Sequence, residues 1–135
     1  MKKINGLLLM LTICTSLAFM LAGCSKSNPI TDIVISNEQY TNQSAIDKAS
    51  QPTELAKDKD VYASVYFIES PKGMKYTAKW FFNATEIKTD EKEMVTDKKG
   101  AIIFPLETDK LKEGTLKLQI IYKDDVLIEK EIIVK

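Results

Sequence analysis

Three segments of this 135-residue chain carry an apolar residue at every second position, at residues 61–67, 76–82 and 116–122. Successive side chains of a β-strand point to opposite faces of a sheet, so this alternation predicts strands with one buried face. An amphipathic helix would instead need apolar residues three and four positions apart, and residues 30–135 contain no long segment with that spacing. The chain must therefore bury sheets against one another.

Turn signals and β-branched runs divide the chain into about seven short strands at roughly ten-residue spacing. Turns are predicted at Pro71 to Gly73, Lys98 to Gly100 and Asp124-Asp125. The predicted strands are 30–36, 61–67, 76–82, a charged edge strand within 86–95, 101–106, 116–122 and 126–134. Alternation breaks at Lys130, which predicts a bulge or a splayed edge. The pattern is typical of an all-β antiparallel β-sandwich.

Residues 38–60 interrupt this pattern, because they are polar and aperiodic. A structureless connection of that length is uncommon inside a compact domain. Three interpretations remain open: a short helical turn at 44–49, a loop over one sheet edge, or a compact domain that begins near Lys57. We predict a sandwich domain at 30–135 with its compact core at 58–135.

The N-terminus has the pattern of an export signal. Lys2 and Lys3 precede a largely apolar run from Leu7 to Met20, and small residues follow it. The apolar stretch of about 16 residues is shorter than the ~20 that a transmembrane helix needs. We therefore predict a cleaved signal peptide at residues 1–23 and a polar tether at 24–29.

The end of this segment, Leu21-Ala22-Gly23-Cys24, resembles the lipobox of bacterial lipoproteins. The resemblance implies that processing enzymes read Leu21, Ala22 and Gly23 and that the chain is cut before Cys24. It also implies that the Cys24 sulfur receives a diacylglycerol carrying fatty acids such as palmitate. The expected location is the extracytoplasmic face of the bacterial cell membrane.

Three stretches of the remaining chain are similar to strands of small immunoglobulin-like domains in bacterial surface lipoproteins. They are 60–66, 71–73 followed by 78–83 with Trp80, and Leu111 with Gly114 and Leu116. The resemblance implies an immunoglobulin-like sandwich. Leu116 stands where a tyrosine is expected, so the tyrosine corner is absent, and the disulfide of antibody domains is absent as well.

Composition excludes several classes of function. The chain has 19 basic and 19 acidic residues, and every basic residue is lysine. Without arginine it has no bidentate clamp for phosphate, and without histidine it has no imidazole to ligate a metal or titrate near neutral pH. No basic excess favours nucleic acid as a partner. The two cysteines are Cys14, in the predicted signal, and Cys24, so no disulfide is expected.

No motif indicates catalysis or a resident metal. Asp58 with Asp60 and Asp124 with Asp125 offer oxygen ligands, but no complete calcium loop follows either pair. We interpret both pairs as solvated turn residues. The sequence predicts a protein that is not an enzyme and that carries no cofactor besides the lipid on Cys24; a small hydrolase is the weakest alternative.

Alternation leaves several apolar side chains on the outer faces of the sheets. Phe81, Ile121, Leu127 and Ile133 are predicted to share one outer face as a candidate partner surface. The expected function is a non-catalytic binding or structural role at the cell envelope, with a protein or an envelope component as partner. The alternative is a carbohydrate- or cell-wall-binding module that uses outward-facing Tyr62 and Tyr66.

Overall fold

The computed structural model describes residues 28–135, and the predicted all-β fold is confirmed. The strands are β1 (Ile30–Ser36), β2 (Glu54–Leu55), β3 (Val61–Ser70), β4 (Lys75–Phe82), β5 (Thr85–Glu93), β6 (Lys98–Leu106), β7 (Gly114–Tyr122) and β8 (Asp125–Val134). A helix, α1 (Gln43–Lys48), lies between β1 and β2, and a short 3-10 helix (Thr108–Lys110) lies between β6 and β7. The predictions for Leu21, Ala22, Gly23 and Cys24 lie outside the described residues.

The strands form two sheets, as predicted for a sandwich. One sheet has the order β1-β3-β6, and the other has the order β2-β8-β7-β4-β5. All neighbours are antiparallel except β2, which runs parallel to the end of β8. The chain changes sheet five times: on entering and on leaving β2, between β3 and β4, between β5 and β6, and between β6 and β7. These crossings fold one sheet over the other.

The core lies between the two sheets and follows the predicted alternation. The largest fully buried side chains from β3, β4, β6 and β7 are Phe67, Tyr76, Trp80, Phe104, Leu106, Leu116, Leu118 and Ile120. The core also includes Ile35 of β1 and Leu55 of β2, which precede the predicted core boundary at residue 58. The first two described strands therefore contribute to the same core as the later strands.

The break in alternation at Lys130 has a different cause from the one predicted. Lys130 lies in register opposite Leu118 and on the same face of β8 as buried Ile132, so it points inward. Its Nζ atom lies 3.4 Å from the Ile33 carbonyl oxygen and 3.3 Å from Gln51 Oε1. Burial lowers the pKa of Lys130. The register shift in this strand pair occurs instead between Ile120 and Ile121.

Residues 37–52 form a second layer over the three-stranded sheet, before the chain joins the other sheet at β2. Ile46 of α1 packs on its outer face against Val34 and Tyr66. The buried hydroxyl of Ser64 accepts a hydrogen bond from the Tyr40 backbone N–H at 3.0 Å. This segment therefore includes the predicted helical turn, and it covers a sheet face as well as an edge.

The edge of β1 is closed by one side chain from this segment. Gln51 accepts a hydrogen bond from the Ile35 N–H at 2.9 Å and donates one to the Ile35 carbonyl oxygen at 2.8 Å. The amide thus takes the place of a neighbouring strand. A paired edge is protected from adding a strand of another chain.

The sandwich has two distinct ends. Its N-terminal end carries Asn28 and the turns that join β3 to β4, β5 to β6 and β7 to β8. Its C-terminal end carries the β4–β5 turn, the β6–β7 connection and Lys135. Since β8 has 10 residues, the ends are about 30 Å apart.

The β4–β5 turn is tight and strained. Phe82 pairs with Thr85, so only Asn83 and Ala84 connect the strands, and both have positive φ angles of 47° and 74°. Asparagine tolerates this conformation, whereas the Cβ of alanine disfavours it. The backbone N–H of Asn83 also donates to the Thr115 carbonyl oxygen at 2.9 Å, which holds the turn against β7.

Replacing Ala84 with glycine should stabilise the domain by about 1 kcal/mol, because glycine adopts positive φ without a steric penalty. Urea unfolding followed by tryptophan fluorescence measures the change through Trp80. The matched control is Ala101→Gly, at a strand position without positive φ, which should lower stability by about 0.5–1 kcal/mol. Equal effects of both substitutions would contradict this account of the turn.

One buried polar contact joins the two sheets at the N-terminal end. The hydroxyls of Ser70 in β3 and Tyr76 in β4 lie 2.6 Å apart, and both residues are fully buried. The Tyr76 ring stacks on Phe67 with 4.2 Å between ring centroids. Each hydroxyl is the hydrogen-bond partner of the other and both are buried, so neither can be removed alone at low cost.

Ser70→Ala and Tyr76→Phe should each destabilise the domain by about 1–3 kcal/mol, because each leaves one hydroxyl buried without a partner. The double variant should be less destabilised than the sum of the two single variants. Chemical denaturation of the three variants and the parent measures this coupling. Simple additivity would show that the two hydroxyls do not act as a pair.

Burial raises the pKa of Tyr76 above its ordinary value of 10.0. Above pH 10 the unfolded chain therefore loses the phenol proton while the folded domain retains it, so the free energy of unfolding falls as pH rises. We expect this part of the alkaline destabilisation to disappear in Tyr76→Phe. Melting curves from pH 9 to 11 on both proteins, with Tyr62→Phe as the control, test this expectation.

Candidate binding surfaces

The predicted partner surface lies mainly on the outer face of the five-stranded sheet. Phe81 of β4 is half-buried there, and the Nζ atom of Lys117 lies 4.9 Å from its ring centroid. Ile121 of β7 is 9% exposed, and Ile133 of β8 is 43% exposed. These three side chains therefore occupy the face that alternation predicted.

The structure does not join these residues into one apolar surface. A polar row formed by Lys79, Gln119 and Glu129 crosses the sheet between Phe81 and Ile121. Phe81 pairs with Lys117, and Ile121 lies four residues further along β7, or about 13 Å away. Gln119 Nε2 donates to Glu129 Oε2 at 2.6 Å, so the row is internally bonded. The predicted continuous patch is consequently replaced by single apolar residues among polar ones.

Leu127 lies at a different place. The register passes from the Ile120–Ile128 pair to the Ile121–Val126 pair, which leaves Leu127 as the extra residue of a bulge. Its side chain packs against the main core and lines a hollow at the N-terminal end. The prediction that Leu127 extends the outer face is therefore wrong, because the bulge shifts it out of the period-two pattern.

The tyrosines of the carbohydrate hypothesis do not form an exposed pair. Tyr66 is only 6% exposed, because α1 packs over it through Ile46. Tyr62 is half-buried on the same outer face, beside Pro105 of β6. A stacking platform that needs both rings on the surface is therefore not present.

The two acidic pairs considered for calcium lie at opposite ends of the sandwich. Asp60 precedes β3 at the C-terminal end, whereas Asp124 lies in the β7–β8 turn and Asp125 begins β8 at the N-terminal end. The Thr108 hydroxyl and backbone N–H both donate to Asp60 Oδ1, which lowers the pKa of Asp60. Within residues 28–135, no three Asp or Glu side chains are grouped closely enough to hold a metal ion.

A cleft opens at the N-terminal end, between the β3–β4 and β7–β8 turns. It consists of two adjoining hollows of about 560 and 350 Å³ that share Met74, Tyr122 and Lys123. Pro29 and Leu127 line the smaller hollow, so the start of the described chain forms part of its wall. Met74, Tyr122 and Leu127 give the cleft apolar wall area, and lysines and acidic residues line most of the rest of it.

Hydrogen bonds attach the first described residues to this cleft. Asn28 Nδ2 donates to the Leu127 carbonyl oxygen at 2.6 Å, and Asn28 Oδ1 accepts from the Ile30 N–H at 2.9 Å. The Ile68 N–H donates to the Pro29 carbonyl oxygen at 2.8 Å. The direction in which the chain enters the domain is therefore defined from residue 28 onward.

Sequence reasoning missed the cleft although it identified both turns. Pro71 to Gly73 and Asp124-Asp125 each carry a local turn signal, but nothing local states that the two turns adjoin. Their proximity comes from the pairing of β4 with β7 in one sheet. The cleft can be predicted from the sequence only if β4 and β7 are first assigned as neighbouring strands of one sheet.

Within residues 28–135 there is no helix of the length and apolarity needed to cross a bilayer. No protein-family model matches the chain, and no curated protein matches it in sequence.

Solved structures do resemble the fold. An immunoglobulin-like protein from Pseudomonas aeruginosa is 12% identical, with a TM-score of 0.50 over 82% of this chain and 98% of that chain. A β-glucosidase from Listeria innocua in complex with glucose is 13% identical, with a TM-score of 0.47 over 64% of this chain and only 15% of the enzyme. A CARDB domain from Pyrococcus furiosus in complex with di-metal ions is 10% identical, with a TM-score of 0.39 over 82% of this chain and 97% of that chain.

At these identities the likeness concerns the fold alone. The two-sheet topology and the resemblance to the Pseudomonas aeruginosa protein lead to one conclusion: residues 28–135 fold as an immunoglobulin-like β-sandwich.

Proposed function

We propose that this protein is a lipid-anchored module on the extracytoplasmic face of a bacterial membrane, with a non-catalytic binding or structural role at the cell envelope. Its partner is a protein or another envelope component. One observation carries the proposal: Leu21-Ala22-Gly23-Cys24 resembles a lipobox at the end of a largely apolar run, and only three residues separate Cys24 from Asn28, the first residue that the structure describes.

The spacing suits an anchor followed at once by a folded domain. Ser25, Lys26 and Ser27 are small or polar, as expected of a chain that leaves a membrane surface. Asn28 and Pro29 are already bonded to β8 and β3. A lipid on Cys24 would therefore hold the sandwich close to the membrane.

The chemistry of the described residues favours a non-catalytic role. The chain contains no histidine and no arginine, so acid–base catalysis near neutral pH would depend on a strongly shifted carboxyl, lysine or tyrosine. The acidic groups whose pKa values are clearly lowered, Asp60, Glu107 and Glu113, are bonded to neighbouring Thr or Lys side chains at the C-terminal end, away from the cleft. These contacts stabilise connections between strands.

The lipid contributes to function by restricting the domain to a surface. Each buried methylene of an acyl chain adds about 0.8 kcal/mol, and stable anchoring needs more than one chain. A diacylglycerol supplies two chains. Confinement then raises the effective concentration of the module near other membrane-bound partners, so a weak surface contact suffices for recognition.

Cys24→Ala should abolish incorporation of labelled palmitate and leave either an uncut precursor or a released domain. Cys14→Ala is the matched control, because Cys14 lies in the segment that processing removes, and this variant should be labelled and cut normally. Labelling, gel mobility and membrane fractionation of cells that express each variant measure the outcome. A Cys24→Ala protein that remains labelled, membrane-bound and of mature size would show that the lipobox interpretation is wrong.

A further inference from the structure

The position of Asn28 restricts how a lipid-anchored sandwich can stand on a membrane. Asn28 is bonded to Leu127 at the N-terminal end, and Lys135 lies at the opposite end. Four residue steps separate Cys24 from Asn28, and an extended chain spans at most about 3.6 Å per residue. Asn28 therefore stays within about 14 Å of a lipid-bearing Cys24.

We propose that the N-terminal end of the sandwich lies against the bilayer surface, with the cleft facing the lipid headgroups and the C-terminal end directed away. This orientation rests on the proposed lipid at Cys24. The occupant of the N-terminal end is the lipid surface itself. Partners then meet the C-terminal end or the broad faces of the sheets.

The side chains of the N-terminal end suit contact with headgroups. Val95 in the β5–β6 turn is 74% exposed, and Val126 at the start of β8 is 52% exposed. Lysines surround them on the three turns and the adjoining strand ends: Lys72, Lys75, Lys98, Lys99 and Lys123. Exposed apolar side chains enter the interfacial region, while flexible lysine stems carry their ammonium groups to lipid phosphates.

Charge alone does not set this orientation. The same end carries as many acidic residues as lysines: Glu69, Glu93, Asp97, Asp124 and Asp125. Net attraction to an anionic membrane is therefore small. The short connection to Cys24 is the dominant constraint, and the lysines and exposed valines act once the end is held at the surface.

The competing orientation places the sandwich flat on its five-stranded sheet. The strands of that sheet place three lysines and six glutamates on its outer face: Lys75, Lys79 and Lys117 with Glu54, Glu86, Glu91, Glu93, Glu129 and Glu131. Acids outnumber lysines there, so an anionic surface repels this face. On the other broad face, α1 covers part of the sheet and carries Asp47 beside Lys48. The orientation with the N-terminal end against the bilayer is therefore favoured over an orientation with either broad face against it.

The absence of cysteine from residues 25–135 allows a direct test with single thiol probes. Val95→Cys places a thiol in a turn at the N-terminal end, and Asp109→Cys places one in the exposed connection at the C-terminal end. Each full-length protein is produced in cells, purified in lipidated form, labelled with a fluorophore and reconstituted into phosphatidylglycerol–phosphatidylcholine vesicles. Headgroup-spin-labelled lipid then quenches any nearby fluorophore.

We expect strong quenching at position 95 and little at position 109. Equal quenching at both positions, or stronger quenching at 109, would overturn the orientation while leaving the lipid anchor in place. Mass spectrometry of the same samples reports whether Cys24 carries lipid, so the two proposals are tested separately. A protein without lipid on Cys24 overturns both proposals.

Discussion

Burial of the alternate side chains of β3, β4 and β7 between the two sheets is the interaction on which the rest of the structure depends. Phe67, Tyr76, Trp80 and Leu118 are fully buried there, and burial of one such side chain is worth about 1.5–3 kcal/mol. The sequence offers no disulfide to the domain, so packing must supply its stability. The Trp80 indole N–H is buried without a hydrogen-bond partner among the described residues, and the apolar area of the ring offsets that cost.

This core also determines which surfaces remain for recognition. One outer face is partly covered by α1, which removes Tyr66 from the surface. The other outer face alternates apolar and charged residues, with Lys117 over Phe81 and the bonded Gln119–Glu129 pair beside it. Neither face offers a broad apolar area. The strongly exposed Val95 and Val126 and the cleft lie at the N-terminal end, whereas Ile133 stands alone on the outer face of the five-stranded sheet.

The path of the chain relates this architecture to the proposed function. The start of β1 lies at one end of the sandwich, and the last residue of β8 lies at the other. A lipid attached four residues before Asn28 would make the first end the membrane side and the second end the outer side. An immunoglobulin-like sandwich is well suited to this arrangement, because its strands run between the ends and carry connections at both.

The sequence by itself determined seven of the eight strands, the turns near residues 71–73 and Asp124, and the buried Trp80, because each of these depends on neighbouring residues. The turn predicted at Lys98 to Gly100 is wrong, since those residues begin β6. Alternation with a period of two residues predicts which side chains of a strand share a face, and Pro71 and Gly73 indicate where the chain turns. Only the tertiary structure decided that Lys130 points inward, that a bulge displaces Leu127, that α1 covers Tyr66, and that two distant turns meet at one cleft. Those features depend on pairing and packing between segments far apart in the chain, and local periodicity carries no information about which segments meet.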